Sequence, residues 1–513
     1  MRRKAVAFYV LVLLIVLLVL TNVARLRLAD MASYVVSTSP VVIPGLREWQ
    51  GQDGTFVITS TSRIAVDPAS VRQLTSTPTI FQSDLQAITR RKLPIVATSA
   101  PTAGDFFLTM SNADQSLGKE GYQLKVGGHV TISAPTRTGV FYGTRTILQM
   151  LLQDPSQVQI PKGTARDYPT YAERGFMLDV GRKFFSLSTL EDYIRLMSWY
   201  KMNDFQLHFN DNELGGGDSP DWMHKYAAFR LNSDRFKGLA APDGSYTRQD
   251  IQQLEAVAKE YAVTITPEID APAHDLALTQ YRPALASPQY SKEMLDLNNP
   301  DTFTFLNSLW DEFLPWFNAP QINIGADEYA PNAADQYRQF VNTYAAYLES
   351  KGKTVRMWGS LSKMSSNIKI DPRVVIEDWN NRWANPVDMA NQGFHIINAN
   401  DNLLYIVPKA GYYHDYLDTK LLFEKWEPYI FDLSNPALNL SPNDPHLLGG
   451  TFAEWNDKLG TVVSNTDVYN RVEPAMQTVG YKLWSGSTLG LPYDQFQMVA
   501  NILSEMPVPG THF

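Results

Sequence analysis

The chain has 513 residues, 44% of them hydrophobic and 19% charged, with a formal net charge of −9 and no cysteine. That size and apolar content allow a large core and more than one domain. The acidic balance, without any long basic run, sets nucleic acid aside as a partner and favours a neutral one. The lack of cysteine excludes disulfides, thiolate nucleophiles and cysteine metal sites.

The N-terminus reads MRRKAVAFYVLVLLIVLLVLTNVA, three basic residues followed by an apolar run over 5–20. A run with no polar face behind a positive end is a membrane-targeting signal. It is long for a signal peptide and short for a span of about 20 residues, so residues 1–28 are read as a signal peptide or a membrane anchor. The remainder is then expected outside the cell or on its surface, touching the membrane only through this segment. Residues 29–51 read as a polar linker.

Residues 52–165 are predicted to form a small α/β domain. TFVITSTSRIAVDP and DFFLTMS are strand-like, SDLQAITRR is helical, and EGYQLKVGGHVTISAP alternates about a Gly-Gly turn as a hairpin does. TRTGVFYGTRTILQMLLQD has the apolar spacing of a helix. No chemistry is visible in this unit.

From 166 to 513 the pattern becomes short apolar strands separated by helices, at 175–181, 204–211, 263–270, 322–328, 354–360, 374–380, 394–401 and 447–456. Eight strands alternating with helices predict an α/β fold with a closed (β/α)8 TIM barrel. A doubly wound sheet is the alternative, but no G-x-G-x-x-G follows the first strand.

The ends of these strands carry acids and tryptophans: Asp211, Asp270, Asp327 with Glu328, Trp358, Asp378 with Trp379, and Trp455 followed by Asp457. In such barrels the C-terminal strand ends converge on the active site. Asp327 and Glu328 could cap the next helix, yet Pro331 and Asn332 intervene and Asp335 is better placed for that task. They are therefore read as catalytic, with Glu328 a general acid whose pKa is lifted by enclosure and by its neighbour. Three tryptophans at one barrel face suit the walls of a sugar pocket. His274 lies in a loop beside Asp275, and Asp211 lies among Asn210, Asn212 and Glu213 without EF-hand spacing. H-E-x-x-H, phosphate-loop and G-x-S-x-G patterns are all missing.

These pieces, ERGFMLDVGR, LHFNDNE, EIDAPAHDLAL, NIGADE, the MWG and EDWN tryptophans and GGTFAEWND, resemble in that order the family 20 glycoside hydrolases, the β-N-acetylhexosaminidases and lacto-N-biosidases. The resemblance covers roughly residues 52–490. It implies that Glu328 protonates the glycosidic oxygen while Asp327 orients the substrate's 2-acetamido group, which attacks the anomeric carbon to give an oxazolinium intermediate with retention. It further implies that Tyr405 donates to the acetamido oxygen, and that Asp211 and His274 set the protonation and position of Glu328. Arg174 and Asp457 would bind the outer hydroxyls, and Trp358, Trp379 and Trp455 would enclose the sugar. No metal or organic cofactor is implied.

Two positions depart from the family pattern: Val407 stands where an acid is usual, and Trp455-Asn456-Asp457 stands for Trp-Gly-Glu. A Trp-x-Asp end is compatible with release of a disaccharide by a lacto-N-biosidase. Arg174, placed at the outer hydroxyls, points to release of a terminal monosaccharide. The expectation is an exo-acting β-N-acetylhexosaminidase acting on N-acetylhexosamine-containing glycans, with a lacto-N-biosidase as alternative and a non-catalytic glycan-binding barrel as a distant one.

Overall fold

A computed structural model describes residues 39–458 and 463–504. The apolar run near the N-terminus lies outside the described residues, and among those described no helix is long and apolar enough to cross a membrane.

The linker expected over 29–51 is already packed from Ser39 onward. Val42 and Ile43 are buried, and the Gln149 side chain bonds both the N–H and the C=O of Ile43, at 2.8 and 2.7 Å. Polar flanks made this stretch look like a tether, whereas its V-V-I core removes apolar surface from water.

The small domain is one seven-stranded sheet. Its strands are β1 (Glu48–Val57), β2 (Ile64–Val66), β3 (Ile95–Ala97), β4 (Phe106–Thr109), β5 (Tyr122–Val126), β6 (Val130–Ser133) and β7 (Gln159–Asp167), in the order β1-β7-β5-β6-β4-β2-β3. The predicted hairpin is β5 and β6, paired antiparallel. Two long helices accompany the sheet, α1 (Thr77–Thr89) and α2 (Arg137–Gln153), with a single turn at Val71–Leu74. Thr136 caps α2 by accepting from the Gly139 N–H at 3.1 Å. Every residue of α2 from Gly139 to Leu151 is buried, because the helix packs on its own sheet and also contacts helices of the second domain.

The barrel strands are β8 (Glu173–Asp179), β9 (Asp204–His208), β10 (Thr264–Ala271), β11 (Gln321–Gly325), β12 (Thr354–Trp358), β13 (Val375–Asp378), β14 (Ile396–Asn398) and β15 (Leu447–Glu454). Neighbours pair parallel throughout, and β15 closes the ring by pairing with both β14 and β8. Long helices back the first half: α3 (Leu187–Trp199), α4 (Arg248–Glu260), α5 (Pro300–Phe313) and α6 (Ala334–Ser350). The other half is thinner. Between β12 and β13 runs a turn-rich segment whose carbonyls are taken up by Arg338 of α6, which donates to Leu361, Met364 and Ile368 at 2.6–2.9 Å. Among the described residues only the short helices Pro386–Asn391, Asp401–Leu404 and Thr419–Lys425 follow, until α7 (Asn465–Ser485) closes the circuit.

The barrel axis is polar. Gln206 of β9 donates to Glu268 of β10 at 2.8 Å and, across the barrel, to Glu377 of β13 at 3.1 Å. Arg356 of β12 lies lower, ion-paired to Asp204, to Glu377 at 3.1 Å and to Glu173 at 3.3 Å. Phe176, Phe205 and Phe452 stack on the opposite faces of their strands, towards the helices, as the two-residue period requires.

Candidate active site

The loops after the strands' C-terminal ends assemble a cavity of about 210 Å3. That is below the roughly 300–1,000 Å3 of sites for drug-sized ligands, and it suits a single sugar ring. Asp211, His274, Asp327, Glu328, Trp379, Tyr405, Trp455 and Asp457 all line it.

Two loops carry the acids, and both are bent by left-handed backbone. Gly325, Ala326 and Glu328 have φ of +68°, +64° and +49°, and His274 has +58°. For the three non-glycine residues this is a sparsely occupied conformation that clusters at functional sites. Gly325 has no alternative, since a Cβ there would lie 1.7 Å from the Asp270 Oδ1. Gly325→Ala should therefore cost clearly more than the roughly 1–2 kcal/mol of a left-handed alanine alone, read as a loss of unfolding free energy in denaturant, with activity falling alongside.

His274 joins the acids. Its Nδ1 lies 3.2 Å from the Asp211 Oδ1, and its Nε2 lies 3.4 Å from the Glu328 Oε2 and 3.8 Å from the Asp327 Oδ2. Burial alone would lower its pKa, but the carboxylates of Asp211 and Asp327 raise it well above the usual histidine value. Asp211 is held far below the carboxylate range against its burial, by the Arg182 guanidinium at 2.7 Å and by His274 and His208.

The expected pKa order of the acid pair is reversed in the unliganded site. The hydrogen bond from His274 lowers Glu328, whose side chain is about half exposed. Burial, with the Glu328 charge adding to it, pushes Asp327 up to about 6. Between His274 and Glu328 the proton thus rests on His274, and the Asp327 Oδ1 is buried without a hydrogen-bond partner.

The aromatic walls come from later strands. Trp379 follows β13, and Tyr405 begins a two-residue strand that pairs with the end of β15. Their rings lie 6.5 Å apart and nearly parallel, and Trp455 sits 5.7 Å from Tyr405. Trp358 is 1% exposed and does not line the cavity. It lies beneath it, its ring 5.7 Å from that of Trp455 and its indole N–H donating to Glu268 at 2.7 Å.

Arg174 is not in the pocket. It opens β8 and so lies at the opposite end of the barrel, fully buried, with its fork on the carboxylate of Glu120 from the small domain (3.0 Å for one of the two contacts) and its Nε donating to the Lys201 carbonyl at 2.8 Å. Arg182, beyond the C-terminal end of the same strand, is the arginine of the site: it lines the cavity and lies 3.4 Å from Asp457. The convergence of C-terminal strand ends, applied to direction along β8, would have selected it. Asp457 also accepts from the Tyr412 hydroxyl at 2.7 Å. Tyr412 and Tyr413 come from an irregular loop with no signal beyond paired aromatics. Val407 lines the same wall.

Among the described residues two groups have the spacing of metal ligands, His208 with Glu268 and Asp270, and Asp270 with His274 and Asp327. In both the histidine's pKa is raised well above its ordinary value by flanking carboxylates.

A proton-bearing cluster beside a carboxylate, under aromatic rings at a barrel mouth, is equipment for cleaving glycosidic bonds, and the class is that of the glycoside hydrolases. Residues 171–487 match the family described as glycosyl hydrolase family 20, catalytic domain, and residues 39–168 match domain 2 of that family; the chain belongs to it. The lacto-N-biosidase of Bifidobacterium bifidum is 24% identical over 480 residues, 88% of this chain, which spans only 40% of that relative's length. The β-hexosaminidase subunit A1 of Dictyostelium discoideum is 24% identical over 80% of this chain and 79% of its own length. The fold is shared with the β-N-acetylhexosaminidase of Streptomyces coelicolor (TM-score 0.75, 22% identity, 91% of this chain and 96% of that one).

Proposed function

We propose that the chain is an exo-acting, retaining β-N-acetylhexosaminidase that removes a terminal β-linked N-acetylglucosamine or N-acetylgalactosamine by substrate-assisted catalysis. The observation that carries this reading is the bridge from His274 to Glu328 beside the unpartnered Asp327 oxygen. Glu328 takes the His274 proton and gives it to the glycosidic oxygen. Asp327 accepts from the acetamido N–H, Tyr405 donates to the acetamido carbonyl, and that carbonyl oxygen attacks the anomeric carbon as the leaving group departs. The oxazolinium so formed is stabilised by the Asp327 charge and opened by water from which Glu328 removes a proton. Adjacent acids with separate tasks are what this chemistry needs.

Arg182, Asp457 and Tyr412, linked to one another at the cavity wall, are read as holding the outer hydroxyls of a terminal sugar, which favours a monosaccharide. A non-catalytic glycan-binding barrel has no use for a positioned acid. Location outside the cell, held or directed there by the N-terminal apolar run, completes the proposal.

The test compares aryl β-N-acetylglucosaminide, β-N-acetylgalactosaminide and lacto-N-bioside. Hydrolysis of either monosaccharide conjugate is the expected result, with a thiazoline mimic of the intermediate inhibiting strongly. Release from lacto-N-bioside alone would replace this reading with the disaccharide one. Recovery of the full-length protein in a membrane fraction or the medium, rather than the cytosol, checks the location.

A further inference from the structure

Behind Asp211 the chain of contacts continues inward to a second histidine. His208, the last residue of β9, is 1% exposed. Its Nε2 lies 2.8 Å from the Asp211 Oδ2, and its Nδ1 lies 2.8 Å from the Glu268 Oε1, close enough for an ion pair but outside hydrogen-bond alignment. Trp455 meets the ring edge to face at 5.0 Å. Glu268 is itself fixed by the Trp358 indole and the Gln206 amide. Asp270 links this cluster to the reacting one: its carboxylate reaches within 4.8 Å of ligand atoms of both His208 and Glu268, and likewise of both His274 and Asp327.

We propose that His208 is a positioning residue for the hydrolytic reaction, a buried imidazolium that braces Asp211, and through it His274, while supplying fixed positive charge behind Asp327. The inference rests on the substrate-assisted reading, in which Asp327 must be a carboxylate. Asp327 is faced by His274, Asp270 and Glu268 from β10 and its loop, by Glu328 beside it, by Tyr405 from the aromatic wall and by Tyr337 from α6; Asp211, Arg182, Glu268 and Asp270 surround His208. Burial and the Glu328 and Glu268 charges raise the Asp327 pKa, and the two histidines lower it.

Without the His208 charge Asp327 holds its proton to higher pH, so activity that needs it ionised is lost earlier as pH falls. In His208→Gln the acid limb of kcat/KM should move up by about one pH unit. A residue that only packed would lower activity at all pH values and leave the limb in place, and that outcome overturns the proposal. A second measurement uses the unaltered protein. Among its eight histidines, nitrogen NMR should find two rings doubly protonated at pH 8, one of which disappears in His274→Asn. A single such ring would overturn the inference even if the variant did not fold. Lack of any hydrolysis by the unaltered enzyme would instead count against the functional reading, leaving the NMR result to judge His208 alone.

Discussion

Glu328→Gln should lower kcat by about 10²–10⁴-fold on glycosides with poor leaving groups, the usual scale of general-acid loss. On an aryl glycoside whose phenolate leaves without help the loss should be far smaller, because Asp327 and the acetamido group still perform the first step. The pH profile adds a sign. The Glu328 charge raises the Asp327 pKa, so removing it lets Asp327 ionise at lower pH, and the acid limb, set near Asp327's value of about 6, should move down. This is opposite to the shift expected for His208→Gln. Equal losses on both substrates would remove Glu328 from the acid's role.

The second large effect is on stability. Glu120→Ala leaves the fully buried Arg174 without its carboxylate. Breaking a buried pair from one side costs roughly 3–5 kcal/mol, and the partial exposure of Glu120 places this case near the lower end, about 3 kcal/mol. Arg174→Met should cost less, since it removes the charge rather than stranding it. Denaturant titration measures both. KM of the folded Arg174→Met enzyme should equal that of the parent, whereas a sugar-binding arginine would raise it.

That contrast shows where the sequence was legible. The eight strands, their closure and the convergence of Asp211, Asp327, Glu328, Trp379, Trp455 and Asp457 follow from apolar runs that end in polar residues, whereas His274 and Tyr405 entered through the family resemblance; the fold bears out the barrel. Arg174 and Arg182 flank one strand and differ only in which end of the barrel they occupy, so proximity to the GFMLD run could not separate them. The pKa order of Asp327 and Glu328 depends on where His274 falls, and a loop's sequence does not state its path. Trp358 sits at a strand end like the other tryptophans, yet the polar barrel axis draws its indole N–H downward to Glu268.

The uneven helical jacket gives the two halves of the pocket different structural support. Every group that handles a proton follows β9, β10 or β11, where long helices stand behind the strands and the Tyr337 hydroxyl of α6 ties the Ala326 carbonyl. The aromatic and apolar walls, Trp379, Tyr405, Val407, Tyr412 and Tyr413, hang from the thinly covered segments after β13 and β14. Insertions and substitutions there can reshape selectivity without disturbing the acid, so related enzymes can diverge in which glycan they trim while inheriting the same reaction. The Val407 departure falls on this thinly covered side of the pocket, and Asp457 follows β15, which α7 backs.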